Sequence, residues 1–348
     1  MAKGKQAVPA YLLSGFLGSG KTTLLKRWLA AAEATGRKPA VVMNELGEVN
    51  LDGVELGQGV SMAEMLDGCI CCTVRGDLGL EIMKLIDEHV PDLLLIESTG
   101  AANPLDIIEA VGDASLLTRV ELKHIVTVID AKHLLAQLDK GKGQTFRLMK
   151  EQISCATVLL LNKTDLVTEV ELALLEQTIR EWNRYAALHR TVGADIDIAG
   201  LEQEAAGHEG GAPQPTADEH HDHGEAACHC GNSEPHEHHH HHHESGEREA
   251  VQAHHSHAHV MALTHYFAQP IDSESFELMM SRLPDDIYRA KGILTFTDTS
   301  SRFMFQYAYK QLDLMRIQPQ GEVPDVAVFI GEHFDKPGLM EQLQQLSK

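Results

Sequence analysis

An α/β fold with a mostly parallel sheet flanked by helices, followed by a small α+β domain, is what the sequence predicts, on three observations. Short apolar runs alternate with helical patterns from residue 8 to about residue 165, as strands of a parallel sheet alternate with the helices that cover it. A glycine-rich turn separates the first run from the first helical pattern. After a polar stretch from about 202 to 258, apolar periodicity returns and lasts nearly to residue 348.

The strand-like runs are 8–14, 40–43, 92–97, 124–130 and 157–161. Each is four to seven residues long and mostly apolar, the mark of strands buried on both faces. Helical patterns at 22–34, 77–88 and 105–111 fill the intervals. A further helix is expected after Thr168, because Thr168 and Glu171 have the spacing of a capping box ahead of ELALLEQTIREW. The segment 202–258 is rich in Gly, Pro, Glu and His with almost no large apolar residues. It cannot bury enough surface to offset the entropy of ordering and is expected to be disordered. Beyond it, VMALTHYFAQPI, a helix-like SFELMMSRL, KGILTFTD, RFMFQYAYKQLDLM and PGLMEQLQQL suggest the small α+β domain. The expected organisation is a nucleotide-type α/β domain over 1–200, a disordered His-rich acidic insertion over 201–258, and an α+β domain over 259–348, with no internal repeat.

A chain of 348 residues suits two domains and a linker. Its formal charge of −22 argues against a nucleic-acid partner, which would require clustered Lys and Arg. Residues 200–250 hold twelve Asp and Glu against one basic residue, Arg248, so this piece carries half of the excess. No apolar stretch reaches eighteen residues, and MAKGKQAVPA lacks the apolar core of a secretory signal. A cytoplasmic protein without a membrane partner is expected. Six cysteines, five of them clustered as Cys69, Cys71, Cys72 and as Cys228, Cys230, look more like metal or redox chemistry than a disulfide framework.

Gly15-Phe-Leu-Gly-Ser-Gly20-Lys21-Thr22 fits G-x-x-x-x-G-K-[ST], between an apolar strand and a helix, as a P-loop requires. Gly15, Gly18, Ser19 and Gly20 would let backbone N–H groups curl around phosphate oxygens at a helix N-terminus, with Thr23 following in the first turn. Lys21 would reach the β- and γ-phosphates, and the Thr22 hydroxyl would ligate Mg²⁺. In Leu95-Ile96-Glu97-Ser98-Thr99-Gly100, placed at the end of the third run, Glu97 would hold Mg²⁺ or its water, and Gly100 would let the backbone approach the γ-phosphate. These residues predict a P-loop NTPase whose catalytic set is Lys21, Thr22 and Glu97. Asn162-Lys163-Thr164-Asp165 follows the run TVLLL. A carboxylate there accepts both N1–H and N2–H of guanine, for which adenine has no matching donor pair, so GTP is the expected nucleotide.

Cys69-Ile70-Cys71-Cys72 lies between the phosphate loop and the acidic strand, where nucleotide switches sense the γ-phosphate. Thiolates favour Zn²⁺ and also bind Co²⁺, and three of them leave room for a fourth, exchangeable ligand. Convergence needs a turn, which Asp67-Gly68 could supply. Spacing alone leaves three readings open: a metal site, a redox pair of Cys69 with Cys72, and buried structural cysteines.

The set SGFLGSGKTTLL, NELGEV, DGCICCTVRGDL, ESTG and NKTD, in that order, resembles the CobW-like family of metal-handling GTPases, most strongly over residues 8–170. YRAKGILTF, at 288–296, is similar to the shorter signature of that family's C-terminal domain. The resemblance implies a GTP-dependent metallochaperone in which Cys69, Cys71 and Cys72 bind a transition metal most tightly with Mg²⁺ and GTP present. It also implies that Glu45 and Glu48, in Asn44-Glu45-Leu46-Gly47-Glu48, belong to a switch segment contacting Mg²⁺ or the metal. Zn²⁺ is the expected cargo, with Co²⁺ not separated from it by the cysteine motif, and a client metalloprotein is the expected partner. A homo-oligomer is compatible with this.

Sixteen of the 22 histidines fall between His208 and His259, including the run His238 to His243. Without fixed geometry such a segment binds several ions loosely and exchanges them quickly, which suits collection or buffering. His89, His124, His133, His189, His265 and His333 carry no assigned role. Two alternatives stay in view: a cobalt or nickel insertase for a specific metalloenzyme, and a metal buffer whose nucleotide site is regulatory.

Overall fold

The structure, a computed structural model, describes residues 6–44, 61–64, 74–207, 259–319 and 321–347. The first sheet has seven strands, all paired in parallel: β1 Val8–Ser14, β2 Pro39–Asn44, β3 Ser61–Glu64, β4 Leu93–Ser98, β5 Val120–Asp130, β6 Val158–Asn162 and β7 Ala187–Arg190. Their order is β3-β2-β4-β1-β5-β6-β7. Along β1 the side chains alternate between faces: Ala10 and Leu12 join one core, Tyr11 and Leu13 the other. This period of two is what a pleated strand imposes.

Helix α1, Lys21–Ala34, buries Leu24, Leu25, Trp28 and Leu29 on the second face. Helices α2, Val74–His89, and α3, Pro104–Leu117, cover the first face, with Leu78, Ile82, Ile107 and Val111 in its core. Asn103 caps α3 by accepting from the Leu105 N–H, and Pro104 supplies the fixed φ of a first helical residue. Helices α4, Ala131–Lys140, and α5, Gln144–Cys155, flank β5, and α6, Glu169–Trp182, packs over β6. The expected capping box is present at Thr168 and Glu171.

The second sheet is antiparallel: β8 Val260–Phe267, β9 Ile287–Thr295, β10 Arg302–Ala308, β11 Gln311–Ile317 and β12 Asp325–Glu332, in the order β11-β10-β9-β12-β8. Helices α8, Ser273–Ser281, and α9, Lys336–Gln345, cover one face around Phe276, Phe305 and Phe329. The other face lays Ile293, Val326, Val328 and Ile330 into the core that α3 shares with the first sheet. Salt bridges Arg289 to Glu109 and Lys291 to Asp113 fasten β9 to α3. The Tyr266 hydroxyl lies 3.0 Å from the Val120 amide nitrogen and 3.1 Å from the Thr118 carbonyl oxygen.

Several expectations are corrected. The acidic strand is the fourth in chain order, because the four-residue β3 precedes it. Strand β5 starts at Val120 rather than 124, and β7, α4 and α5 had no counterpart in the sequence reading. Helix α7, Ile198–Gly207, runs across the expected boundary at 200; Leu201 is buried beside Trp28, and Glu202 accepts from Trp28 Nε1 at 2.7 Å and pairs with Arg37 at 2.8 Å. The segment RFMFQYAYKQLDLM is two strands, β10 and β11, joined at Tyr309 and Lys310, both in the left-handed region at φ 53° and 61°. The His-rich residues 208–258 and the switch and cysteine residues Glu45, Glu48, Cys69, Cys71 and Cys72 lie outside the described residues. Among the described residues no helix is long and apolar enough to cross a membrane.

Candidate functional site

Parallel pairing brings the carboxyl ends of β1, β4, β5 and β6 to one edge. Leu13 pairs with Glu97, Ser14 with Thr127, and Asp130 with Asn162. In open α/β sheets this edge is where ligands bind.

The P-loop leaves β1 at Ser14 and enters α1 at Lys21. Gly15 has φ 130° and Gly20 has φ 117°, conformations that side-chain-bearing residues rarely adopt. A Cβ on Gly15 would run into the Val128 carbonyl oxygen, and one on Gly20 would sit 2.5 Å from Asn162 Nδ2. Gly18, at φ 74°, faces open space. Phe16 stacks on His133 of α4 at 5.1 Å between ring centroids. The Ser14 and Ser19 hydroxyls are buried and, among the described residues, make no hydrogen bond to protein.

Lys21 is 7% exposed, and its Nζ donates to the Gly15 carbonyl at 2.9 Å and the Phe16 carbonyl at 3.3 Å. The Thr22 hydroxyl donates to Glu97 Oε1 at 2.8 Å, with Glu97 5% exposed at the end of β4. A hydroxyl and a carboxylate placed together are the hard oxygen donors that Mg²⁺ takes, so the residues present fit that ion. Thr23 is exposed on α1. Gly100 lies against the P-loop: a Cβ on it would be 2.6 Å from Leu17 N.

The loop after β6 is bonded to the same P-loop. Asn162, 2% exposed, donates from Nδ2 to the Ser19 carbonyl at 2.8 Å. Its Oδ1 accepts from the Thr191 hydroxyl at 3.1 Å and the Ala194 N–H at 2.9 Å. Lys163 stands in the left-handed region at φ 61°, and its Nζ donates to the Gly18 carbonyl at 2.8 Å and to Asp130 Oδ2 at 2.7 Å. Asp165 follows in the short 3-10 turn Thr164–Leu166 and is exposed to solvent. The two motifs are thus 140 residues apart in sequence and joined by two direct hydrogen bonds.

Two residues here were missed by the sequence reading. Asp130 ends β5, caps α4 through the His133 N–H at 2.9 Å, and holds Lys163. The signal was available, since an acid closing the run HIVTVID is placed as Glu97 is. Gln152 of α5 donates from Nε2 to the Gly100 carbonyl at 3.1 Å; nothing in the sequence pointed to it. Among the described residues no group of three or more His, Cys, Asp and Glu is arranged to hold a metal ion. Cys155 is a buried thiol, pushed up to about 12 chiefly by burial and next by Glu151. Burial keeps it protonated at neutral pH.

Residues 9–190 match the family model described as CobW/HypB/UreG, nucleotide-binding domain, and residues 260–347 match the cobalamin synthesis protein cobW C-terminal domain. The zinc-regulated GTPase metalloprotein activator 1 of Dictyostelium discoideum is 34% identical over 230 residues, covering 56% of this chain and 48% of that protein. The zinc chaperone YjiA of Escherichia coli (strain K12) is 34% identical over 194 residues, covering 54% of this chain and 58% of that one. The crystal structure of Zn(II)-bound YjiA GTPase from E. coli superposes with a TM-score of 0.47 at 23% identity, over 99% of this chain and 100% of that one. The chain spans about half the length of the curated relatives it matches.

Proposed function

We propose that this chain, which belongs to the CobW/HypB/UreG nucleotide-binding family, is a GTP-dependent zinc metallochaperone: it hydrolyses GTP to GDP and phosphate and couples this to holding and releasing Zn²⁺ for a client metalloprotein. One observation carries the nucleotide half. The Asn162-Lys163-Thr164-Asp165 loop is hydrogen-bonded to the P-loop at Ser19 and Gly18, so the base-reading segment and the phosphate cradle form one site.

Gly15, Gly18, Ser19, Gly20, Lys21, Thr22 and Thr23 take the phosphates in this account, with Lys21 on the β- and γ-oxygens. Thr22 and Glu97 are the Mg²⁺ residues, and Mg²⁺ when bound neutralises charge on the phosphate chain. Gly100 faces the γ-phosphate, and Asp165 accepts from guanine. Water attacks the γ-phosphorus as the bond to the β-phosphate oxygen breaks, with Lys21 and loop N–H groups stabilising the developing charge.

The cargo half rests on the cysteine motif and on the names of the relatives, which are zinc chaperones and a zinc-regulated activator. Cys69, Cys71 and Cys72 hold the metal, and Glu45 and Glu48 belong to a switch segment contacting Mg²⁺ or that site. The described backbone is compatible with such coupling: α2 begins at Val74, shortly after Cys72, and packs on α3, which begins at Pro104, shortly after Gly100. Cobalt binds the same thiolates, and competition of Zn²⁺ with Co²⁺ for the Mg²⁺·GTP form decides between them. We place the protein in the cytoplasm, where thiols stay reduced.

Nucleotide choice tests the first half. Wild-type protein is expected to release phosphate from GTP and not from ATP, and Asp165→Asn to weaken GTP and favour the xanthosine nucleotide. An Asp165→Asn protein with unchanged preference for GTP removes the case for guanine.

A further inference from the structure

Gln152 is 1% exposed and sits on the last turn of α5, where nothing in the GTPase account yet gives it a task. Its Nε2 donates to the Gly100 carbonyl at 3.1 Å. Its own carbonyl accepts from the Thr127 hydroxyl of β5 at 2.9 Å. The turn that carries it is fixed from the other side by Asn183, 1% exposed, whose Nδ2 lies 2.8, 3.0 and 2.9 Å from the carbonyl oxygens of Ile153, Ser154 and Ala156. Those include carbonyls that a helix end leaves without intrahelical partners. Gln152 therefore projects from backbone that cannot shift without breaking several buried hydrogen bonds.

Gly100 has the opposite character. Its contact with Leu17 of the P-loop leaves no room for a Cβ, and glycine brings the widest backbone freedom of any residue. A segment that must present one orientation to a phosphate is built on the residue least able to hold one. The bond from Gln152 removes that freedom. A trans peptide carries its C=O and N–H on opposite edges, so turning the Gly100 carbonyl toward α5 turns the Ala101 N–H away from it and fixes the peptide plane.

We propose that Gln152 is a positioning residue that holds Gly100 in the conformation that receives the γ-phosphate, so that it governs GTP-over-GDP discrimination and turnover rather than nucleotide binding as a whole. This rests on the GTPase account above. Gln152 acts through Gly100 and touches no reacting atom. Its anchor, the end of α5, also accepts the His259 N–H at the Ser154 carbonyl, 2.5 Å away, so the residue following the His-rich segment grips the same turn.

Full-length wild type, Gln152→Leu and Gln152→Glu are compared with Mg²⁺, measuring affinity for GDP and for a non-hydrolysable GTP analogue, and kcat. Gln152→Leu is expected to keep GDP affinity within about twofold while analogue affinity and kcat fall about tenfold, the size of a lost orienting contact. Gln152→Glu supplies a readout that a structural role would not move. Ionised, it cannot donate to the Gly100 carbonyl; protonated, it can, and burial raises a carboxyl well above its ordinary value. Its kcat relative to wild type is expected to recover as pH falls from about 8.5 toward 6. Equal weakening of GDP and analogue by Gln152→Leu, or a Gln152→Glu profile parallel to wild type, overturns the proposal. If Gln152→Leu does not fold, the pH profile of Gln152→Glu decides. Wild-type protein that hydrolyses no GTP sinks the GTPase account itself, an outcome distinct from variants that match an active wild type.

Discussion

Replacing Asn162 by alanine removes the side chain that joins the loop after β6 to the P-loop. Three buried hydrogen bonds are lost: to the Ser19 carbonyl, from the Thr191 hydroxyl and from the Ala194 N–H. The stranded groups cannot turn to water, since Ser19 and Ala194 are fully buried and Thr191 is 5% exposed. Each made bond contributes about 1 kcal/mol net and each orphaned group costs about 1–3 kcal/mol, so a loss of about 4 kcal/mol is expected. That is a large part of the roughly 5–15 kcal/mol that holds a domain. Urea unfolding with unchanged slope measures it. Asn162→Asp keeps the acceptor for Thr191 and Ala194 but turns an oxygen on the Ser19 carbonyl and buries a charge, so it is expected to weaken nucleotide binding and to cost at least as much stability as alanine does. An Asn162→Ala protein within 1 kcal/mol of wild type would refute the reasoning, because no buried trio of bonds is that cheap.

Lys21→Ala is expected to lower GTP turnover by at least about a hundredfold, as removal of one charge-stabilising donor does, and to lower the unfolding midpoint as well, because the Gly15 and Phe16 carbonyls lose their donor; phosphate release and thermal melting check both. On the C-terminal sheet, burial holds the His265 imidazole below its ordinary value. The unfolded chain then binds the proton more readily than the folded one, so this stability is present above pH about 6.5 and is lost as pH falls from there through the folded value. His265→Gln is expected to flatten that part of the urea-midpoint profile between pH 7 and 5, and an unaltered slope counts against it.

The glycine turn and the strand ends around it were legible because their signals are local. The run 8–14, the glycine turn and the helix after it are contiguous, and Glu97 and Asn162 close strands whose apolar character is unbroken. What escaped depends on distant parts of the chain. Strands β3 and β7 are four residues long and lie at the two edges of the sheet, too short for periodicity to register. The β10 to β11 turn uses Tyr309 and Lys310 where the usual signal is Asn-Gly. Gln152 looks like any polar residue of a helix until folding places Gly100 beside it, 52 positions away. The docking of the second sheet on α3, through Arg289, Lys291 and Tyr266, is long-range in the same sense.

The α3 helix is the element through which these parts meet. It starts beside Gly100, packs on α2, and carries Glu109 and Asp113 to the second sheet. Close approach is built in: a Cβ on Gly79 of α2 would be 3.5 Å from the Ala110 carbonyl oxygen, and one on Gly112 would be 3.3 Å from Lys291 Cε. Packed small residues of this kind transmit displacement rather than absorb it. The proposed metal transfer would need that property, since a ligand shifts an equilibrium only by its unequal affinity for two states.

The affinity for Zn²⁺ of protein lacking residues 208–257, measured by competition with a chromophoric chelator in the presence of Mg²⁺ and either a GTP analogue or GDP, tests the coupling most directly. One equivalent per chain, held at least about tenfold more tightly with the triphosphate, is predicted, which corresponds to a coupling of about 1.4 kcal/mol. Equal affinity with the two nucleotides would contradict the account. Loss of nearly all binding on deletion would instead favour a metal buffer, to which the fifteen histidines removed are suited.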